Sequence, residues 1–240
     1  NEAKNLKLLI PKLMRQNYRE FEVCVALDRC ADNSIAIMKA FEVEYTNLKT
    51  IIIDEVPDHF SAKKFALTLA IKGAKFEWLL LTDADCLPGS DHWLDSFGQH
   101  MTADLDFILA ASPYRSTNSI LNAYIQFETF ITAYEYLSAA ALNNPYMGVG
   151  RNLAYRKSLF LKLKGYNKYQ GIMGGDDDLF VQRHAIPGRV GINIGVDALT
   201  YSDAKSDTYS YWVQKKRHFS VSKYYTLKSK ILHSINSSSQ

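Results

Sequence analysis

The chain has 240 residues, a length that suits one domain, or one domain with an appendage. Hydrophobic residues make up 47% and charged residues 22%, which is ordinary for a globular protein with a substantial core. The net charge of +3 is too small to indicate nucleic-acid binding, and no run of 18 apolar residues is present that could span a membrane.

The three cysteines, Cys24, Cys30 and Cys86, are an odd number without the spacing of a metal site. Two of them lie in or beside strand-like runs and behave as small apolar residues. We therefore expect reduced thiols and a cytoplasmic location, not a disulfide framework.

The first half of the chain alternates between helix-like and strand-like segments. Helical spacing occurs in residues 2–16, 33–45 and 61–74, and short apolar runs occur in residues 21–28, 48–56 and 76–85. This alternation predicts an α/β fold with a mostly parallel central sheet flanked by helices. The strands end at Asp28, Asp54 and Asp83, at the edge where open parallel sheets bind ligands.

The sequence begins in or just before a helix, although a sheet of this kind normally opens with a strand. Either the sequence is a fragment, or the first strand is supplied in another way.

The second half is less regular. The expected elements are a strand (104–112), a long aromatic-rich helix (119–142), a turn–strand–helix (148–166), an acidic loop entering a helix (174–185) and a basic helix or loop (209–225). No Asp or Glu occurs from Thr208 onward, and this segment contains six basic residues, Lys215, Lys216, Arg217, Lys223, Lys228 and Lys230.

Asp83 and Asp85 follow a predicted buried strand and are separated only by Ala84. Two such carboxylates can hold Mg²⁺ or Mn²⁺, which prefer oxygen ligands and often share them with substrate phosphates. A solvated turn closed by an Asp side chain is the plainer alternative. The position at the end of a central strand favours the cation site.

Three adjacent acids, Asp176, Asp177 and Asp178, precede an apolar helix. Their mutual repulsion predicts that at least one has a raised pKa or a cationic neighbour. One of them could serve as a general base. Helix capping is the alternative, and it accounts for one or two of the acids but not for all three.

Basic residues complete the set of candidates. Gln214 and Arg217 can grip a diphosphate from one helix face, although a solvated basic face is equally favoured. Lys63 lies early in the helix of residues 61–74 and could reach an anionic ligand. Exposed helix lysines are common, and for Lys63 taken alone that plainer interpretation is favoured.

Together these stretches resemble glycosyltransferase family 2, whose members have the GT-A fold with a Rossmann-like nucleotide-binding half. The matching segments are the opening (1–34), AKKFALTLAI (62–71), TDADC (82–86), GVGRNLAYRK (148–157), GGDDDLF (174–180) and QKKRH (214–218). The resemblance covers nearly the whole chain in the family's order.

The resemblance implies an inverting glycosyltransferase of the hexosyltransferase type. It would transfer a sugar from a nucleoside-diphosphate sugar to a hydroxyl of a glycan or lipid-linked acceptor, in cell-surface polysaccharide or glycolipid synthesis. The implied cofactor is Mn²⁺ or Mg²⁺ on Asp83 and Asp85, and the implied catalytic base is Asp177, with Asp176 second. The implied donor-binding residues are Asp28, Lys63, Asp83, Gln214 and Arg217.

The resemblance also implies a division of the chain. Residues 1–110 would form the nucleotide-sugar-binding half of a single domain, residues 111–207 the acceptor and catalytic-base half, and residues 208–240 a basic C-terminal segment. His218 replaces the tryptophan of the family's Q-x-x-R-W signature, and the first strand is missing, so the sequence looks like a catalytic-domain fragment.

Two other functions compete with glycosyl transfer. A nucleotidyltransferase that makes nucleotide sugars would show a glycine- and basic-rich loop after the first strand, a region that this chain does not contain. A non-catalytic sugar-nucleotide-binding module is disfavoured by the intact acids.

The basic segment suggests a place of action at the cytoplasmic face of a membrane, where it would lie on anionic lipid. An ordinary exposed C-terminal helix is the alternative.

Overall fold

The computed structural model describes residues 1–225, which fold into eight α-helices and eight strands. The helices are α1 (Ala3–Met14), α2 (Ser34–Glu44), α3 (Ala62–Gly73), α4 (Trp93–Gly98), α5 (Ile120–Ala141), α6 (Lys157–Lys162), α7 (Asp178–His184) and α8 (Thr208–Ser222). The strands are β1 (Val23–Asp28), β2 (Leu48–Ile53), β3 (Trp78–Leu81), β4 (Leu87–Pro88), β5 (Phe107–Ala110), β6 (Leu153–Arg156), β7 (Val190–Asn193) and β8 (Thr200–Tyr201).

The predicted α/β class is confirmed, and the sheet is mixed instead of purely parallel. Strand β5 runs parallel to β7, whereas β6 lies between β3 and β5 and runs antiparallel to both. Leu109 near the end of β5 pairs with Leu153, the first residue of β6, so β6 starts where β5 ends. Helix α5 returns the chain to the edge of the sheet at which β5 ended, so β6 must run backward across it.

Strands β1 and β2 form a separate parallel pair. Within residues 1–225, no strand pairs with both β1 and β3, so the two sheets are separate there. Helix α1 contacts both α2 and β4, and α3 contacts both β1 and α6. These two helices therefore hold the β1–β2 pair against the four-stranded sheet.

The core lies on both faces of the four-stranded sheet because side chains alternate along each strand. On β5, Phe107 and Leu109 pack with residues of α5 and α7, whereas Ile108 and Ala110 pack with residues of α1 and α4. All four β5 side chains are buried. This two-sided packing makes the sheet a rigid support for the loops at its edge.

Candidate active site

The ends of three elements meet at one edge of the four-stranded sheet. Strand β3 ends at Leu81, which pairs with Leu153 at the start of β6. The segment that follows β3 and contains Asp83 therefore lies beside the segment that precedes β6 and contains Gly150. The acidic loop that leads into α7 packs on Gly150 and completes the site.

Lys63 joins two of the predicted acidic motifs. Its Nζ lies 3.1 Å from Asp83 Oδ1 and 3.0 Å from Asp176 Oδ2. Burial alone would lower the pKa of Lys63, but Asp176 and Asp83 outweigh burial and raise it. Lys63 is 49% exposed, as the plainer interpretation expects, but its ammonium is paired with two carboxylates.

Asp177 is the N-cap of α7, and both of its carboxylate oxygens accept backbone hydrogen bonds. Oδ2 accepts from the Gly150 N–H at 2.6 Å, and Oδ1 accepts from the Asp178 N–H at 2.8 Å. A Cβ on Gly150 would lie only 3.2 Å from Asp177 Oδ2, so the glycine permits this close approach. Two fixed donors from different segments thus set the orientation of this carboxylate.

Burial raises the pKa of all three adjacent acids, Asp176, Asp177 and Asp178. The charge of Lys63 partly opposes the rise for Asp176 and Asp177. The predicted raised pKa and cationic neighbour are therefore both confirmed. Asp177 caps α7 and Asp178 lies in its first turn, where it accepts from the Leu179 N–H, so helix-start chemistry accounts for two of the acids and not for Asp176.

Helix α8 holds the acidic loop from its other side. Tyr225, just beyond α8, donates a short hydrogen bond from its hydroxyl to Asp178 Oδ2. Val221 is buried against Gly174 and Gly175, which have φ of +81° and +75°. Glycine adopts this left-handed region without strain, so the chain can turn sharply into the acids.

Lys64 of α3 holds the segment that leads into the same acidic loop. Its side chain is fully buried, and its Nζ donates to three backbone carbonyl oxygens, of Tyr169 (3.0 Å), Ile172 (2.7 Å) and Gly174 (2.5 Å). Burial lowers the pKa of Lys64 to about 8, and the three carbonyl oxygens stabilise the charged ammonium that remains at neutral pH. Lys64 is not among the predicted site residues, although spacing of three and four residues places it on one helix face with Leu67 and Ile71.

A pocket of about 120 Å³ lies between α5 and α8. Val149 and Arg151 line it and flank Gly150, so the pocket is next to Asp177. Gln214 and His218 of α8 also line it. Partial desolvation in the pocket, with the nearby charges of Arg217 and Lys215, lowers the pKa of His218 to about 4, although the residue is exposed.

Arg151 forms the wall between this pocket and the Asp83 segment. Its guanidinium donates to Ser202 Oγ and to the carbonyl of Ser112, and it lies 4.6 Å from the centre of the Tyr114 ring. Burial opposes the charge of Arg151, but Tyr114, Cys86 and Asp83 together raise its pKa. No local pattern in the sequence marks this arginine, because its partners come from distant segments.

The remaining predicted residues have other partners or face solvent. Asp28, at the end of β1, pairs with the adjacent Arg29 at 2.8 Å. Gln214 donates to the Tyr114 hydroxyl at 3.5 Å, whereas Arg217 is exposed. Lys228 and Lys230 fall in residues 226–240, outside the described part of the chain.

The two carboxylates suit a cation whose remaining coordination positions are filled by a bound ligand. Residues 1–225 contain no group of three or more His, Cys, Asp or Glu side chains placed to hold a metal ion. Asp85 is exposed and Asp83 is half-exposed in its pair with Lys63, so the protein offers two carboxylates at an open edge. Such a pair fits Mg²⁺ or Mn²⁺ bound jointly with phosphate oxygens, and it does not fit an all-protein cage.

Solved structures with a similar fold include glycosyltransferases of the GT-A type. The mannosyltransferase PcManGT from Pyrobaculum calidifontis is 17% identical with a TM-score of 0.66, and the match covers 88% of this chain and 56% of that chain. Residues 1–349 of TarS from S. aureus are 18% identical with a TM-score of 0.61, and the match covers 92% of this chain and 63% of that chain. This chain therefore spans less than two thirds of either structure.

The comparison with curated proteins gave no match. The family model for glycosyl transferase family 2 matches residues 1–164, which is more than half of the chain. The motifs TDADC and GVGRNLAYRK, which the structure places side by side, both lie within that range. The chain belongs to glycosyltransferase family 2.

Proposed function

We propose that this chain is the catalytic part of an inverting glycosyltransferase that uses a nucleoside-diphosphate sugar and a hydroxyl acceptor. The observation that carries the proposal is the Lys63 bridge between Asp83 and Asp176, which links the candidate donor motif to the candidate catalytic motif. The donor class has further support from similar proteins. PcManGT was solved with GDP-Man and Mn²⁺, and TarS was solved with UDP-GlcNAc and with UDP.

Asp177 is the catalytic base in this proposal. It takes the proton of the acceptor hydroxyl on a carboxylate oxygen, while the hydroxyl oxygen bonds to the anomeric carbon and the bond to the diphosphate breaks. Its raised pKa suits proton abstraction near neutral pH better than that of an ordinary Asp would. Asp176, whose carboxylate pairs with Lys63, is the second candidate.

The donor site in this proposal is built from residues on both sides of the acids. Asp28 contacts the nucleotide base, and Lys63, Gln214 and Arg217 contact the diphosphate. Asp83 and Asp85 would hold Mn²⁺ or Mg²⁺, and the ion would supply positive charge beside the diphosphate leaving group. A planar guanidinium such as that of Arg217 binds phosphate oxygens in a bidentate manner.

The acceptor enters through the pocket between α5 and α8. Its lining residues Val149 and Arg151 flank Gly150, which donates to Asp177, and this adjacency supports the assignment. We accordingly assign residues 1–110 to donor binding and residues 111–207 to the acceptor and the base. The acceptor class is a glycan or a lipid-linked sugar in cell-surface polysaccharide or glycolipid synthesis.

Residues 208–240 form the basic segment, which we assign to the cytoplasmic face of a membrane. Within the part that the structure describes, no helix is both long and apolar enough to cross a bilayer. The proposed contact is therefore with the surface.

Donor hydrolysis and transfer test the proposed function. The purified chain is incubated with a panel of nucleoside-diphosphate sugars with and without Mn²⁺, and nucleoside diphosphate release is measured. Binding of the same donors is measured by thermal shift. Release that requires a hydroxyl acceptor and is lost in Asp177→Asn, with donor binding kept, supports the proposal. Donor binding without turnover in the wild type would indicate a non-catalytic module.

A further inference from the structure

Helix α5 carries a stripe of exposed apolar side chains. Its members are Ile120, Tyr124, Phe127, Phe130 and Tyr134, each 55 to 93% exposed. At 3.6 residues per turn they lie within an arc of about 120° on one side of the helix. Monomeric proteins rarely expose contiguous apolar patches of this kind, and those that occur mark interaction sites.

The outer face of α8 mixes aromatic and basic side chains. Its members are Tyr209, Trp212, Lys216, Phe219 and Lys223, all of which are exposed. The helical repeat places them within an arc of about 80°. Aromatic rings interleaved with lysines are typical of helices that lie in the interface of a bilayer. Their long alkyl stems let the lysines keep their charges at the headgroups.

The two faces meet in one surface. The Tyr124 ring packs on the Tyr211 ring with centroids 6.2 Å apart, and the Tyr211 ring contacts that of Trp212 at 6.4 Å. Glu128 of α5 lies at this seam, where it accepts from Tyr211 Oη at 2.6 Å and from Lys215. Its charge is thereby neutralised, and α8 itself contains no acid. We call the ten outward side chains of the two preceding paragraphs the α5–α8 face.

The charge of the α5–α8 face selects its partner. Its apolar area would also fit a second copy of the chain, but a symmetric contact places the same patch on both subunits. Such a contact would bring the lysines of both copies into one interface, where their like charges repel. An anionic lipid surface has the opposite charge and accepts the aromatic rings at headgroup depth.

We propose that the α5–α8 face docks on the surface of an anionic phospholipid bilayer. This docking rests on the membrane contact of the proposed function and assigns that contact to the α5–α8 face. It places α8, which also lines the acceptor pocket through Gln214 and His218, directly at the lipid.

Vesicle co-sedimentation tests the docking surface. The 240-residue chain is mixed with vesicles of phosphatidylcholine alone or with phosphatidylserine added, at low and high salt. The wild type is expected to sediment with the anionic vesicles only, and more weakly at high salt. Lys216→Gln with Lys223→Gln should weaken binding about 30-fold. Phe127→Ser with Phe130→Ser should weaken it at both salt concentrations.

Two matched variants serve as controls. Lys4→Gln with Lys7→Gln removes the same charge from exposed positions on α1, and Val43→Ser with Ile194→Ser removes exposed apolar side chains elsewhere. Both should bind like the wild type. Circular dichroism melting of every variant verifies that it is folded.

Three results would overturn the proposal. These are no binding to anionic vesicles, an equal loss in the matched controls, and a wild-type dimer in sedimentation velocity that Phe127→Ser with Phe130→Ser converts to a monomer. Vesicle binding is measured without sugar transfer. Failure of the proposed function would give an inactive chain that still binds vesicles, whereas failure of this inference would give an active chain that does not.

Discussion

Replacing Lys64 by methionine should loosen the loop that carries the acids while leaving the donor motif in place. The substitution keeps the apolar stem of the side chain and removes the ammonium, which donates to the carbonyl oxygens of Tyr169, Ile172 and Gly174. All three acceptors lie in the segment just before Asp176. No other charged side chain among residues 1–225 is as completely buried as Lys64.

The expected loss of stability follows from those three hydrogen bonds. A hydrogen bond to a charged group contributes about 1.5–3 kcal/mol, and burying the ammonium itself has a desolvation cost that methionine avoids. The two effects together give a net loss of about 3 kcal/mol. For a domain of this size, 1 kcal/mol lowers Tm by about 2–4 °C, so Tm should fall by about 6–12 °C.

Two measurements separate positioning from general destabilisation. Well below the melting temperature, kcat of Lys64→Met should fall while donor affinity stays near that of the wild type. Lys64→Arg keeps the charge and its donors and should restore part of kcat. Lys72→Met alters an exposed lysine on the same helix and should change neither quantity. Wild-type Tm and kcat in Lys64→Met would refute the reasoning.

Three further predictions concern the acids and their loop. Lys63→Met removes the cation that lowers the pKa of Asp176 and Asp177, so the acid limb of the kcat/KM profile should move to higher pH; an unchanged limb would separate Lys63 from the base. The folded-state pKa of Asp176, Asp177 and Asp178 lies above the unfolded value near 4, so the folded chain binds protons more tightly. The free energy of unfolding in urea should therefore decrease as pH rises from about 4 through the folded-state pKa, and less steeply in Asp177→Asn. Gly175→Ala should destabilise the chain by more than Gly188→Ala, because both have positive φ but only a Cβ at Gly175 would clash, at 2.5 Å from Leu179. Equal melting temperatures for these two variants would contradict that explanation.

The alternating helices and strands of the first half could be predicted because periodicity and turn residues are local signals. Strand β1 ends at Asp28 and α3 extends to Gly73, as the sequence predicts. The backward direction of β6 could not be predicted, since it depends on where the long helix α5 returns the chain. Short strands such as β4 and β8 are defined mainly by their pairing with each other, which no local pattern encodes.

The candidate site was predictable as a set of motifs, but not as a network of contacts. The sequence shows that Asp176, Asp177 and Asp178 must tolerate their mutual repulsion, and it does not show which cation relieves it. The contacts of Lys63 with Asp176 and of Tyr225 with Asp178 span about 110 and 47 positions, and only the folded chain brings them together. The buried position of Lys64, in contrast, could be predicted from the sequence, because a lysine on an apolar helix face disagrees with the local pattern and indicates a buried role.

The β1–β2 pair and the β3–β6–β5–β7 sheet are separate in residues 1–225, so β1 and β3 are each edge strands there. Open strand edges recruit extended segments from other molecules. A concentrated solution of this polypeptide should therefore tend toward edge-to-edge assembly. A short apolar peptide that binds as a parallel strand at either edge should act as a solubilising additive for its purification.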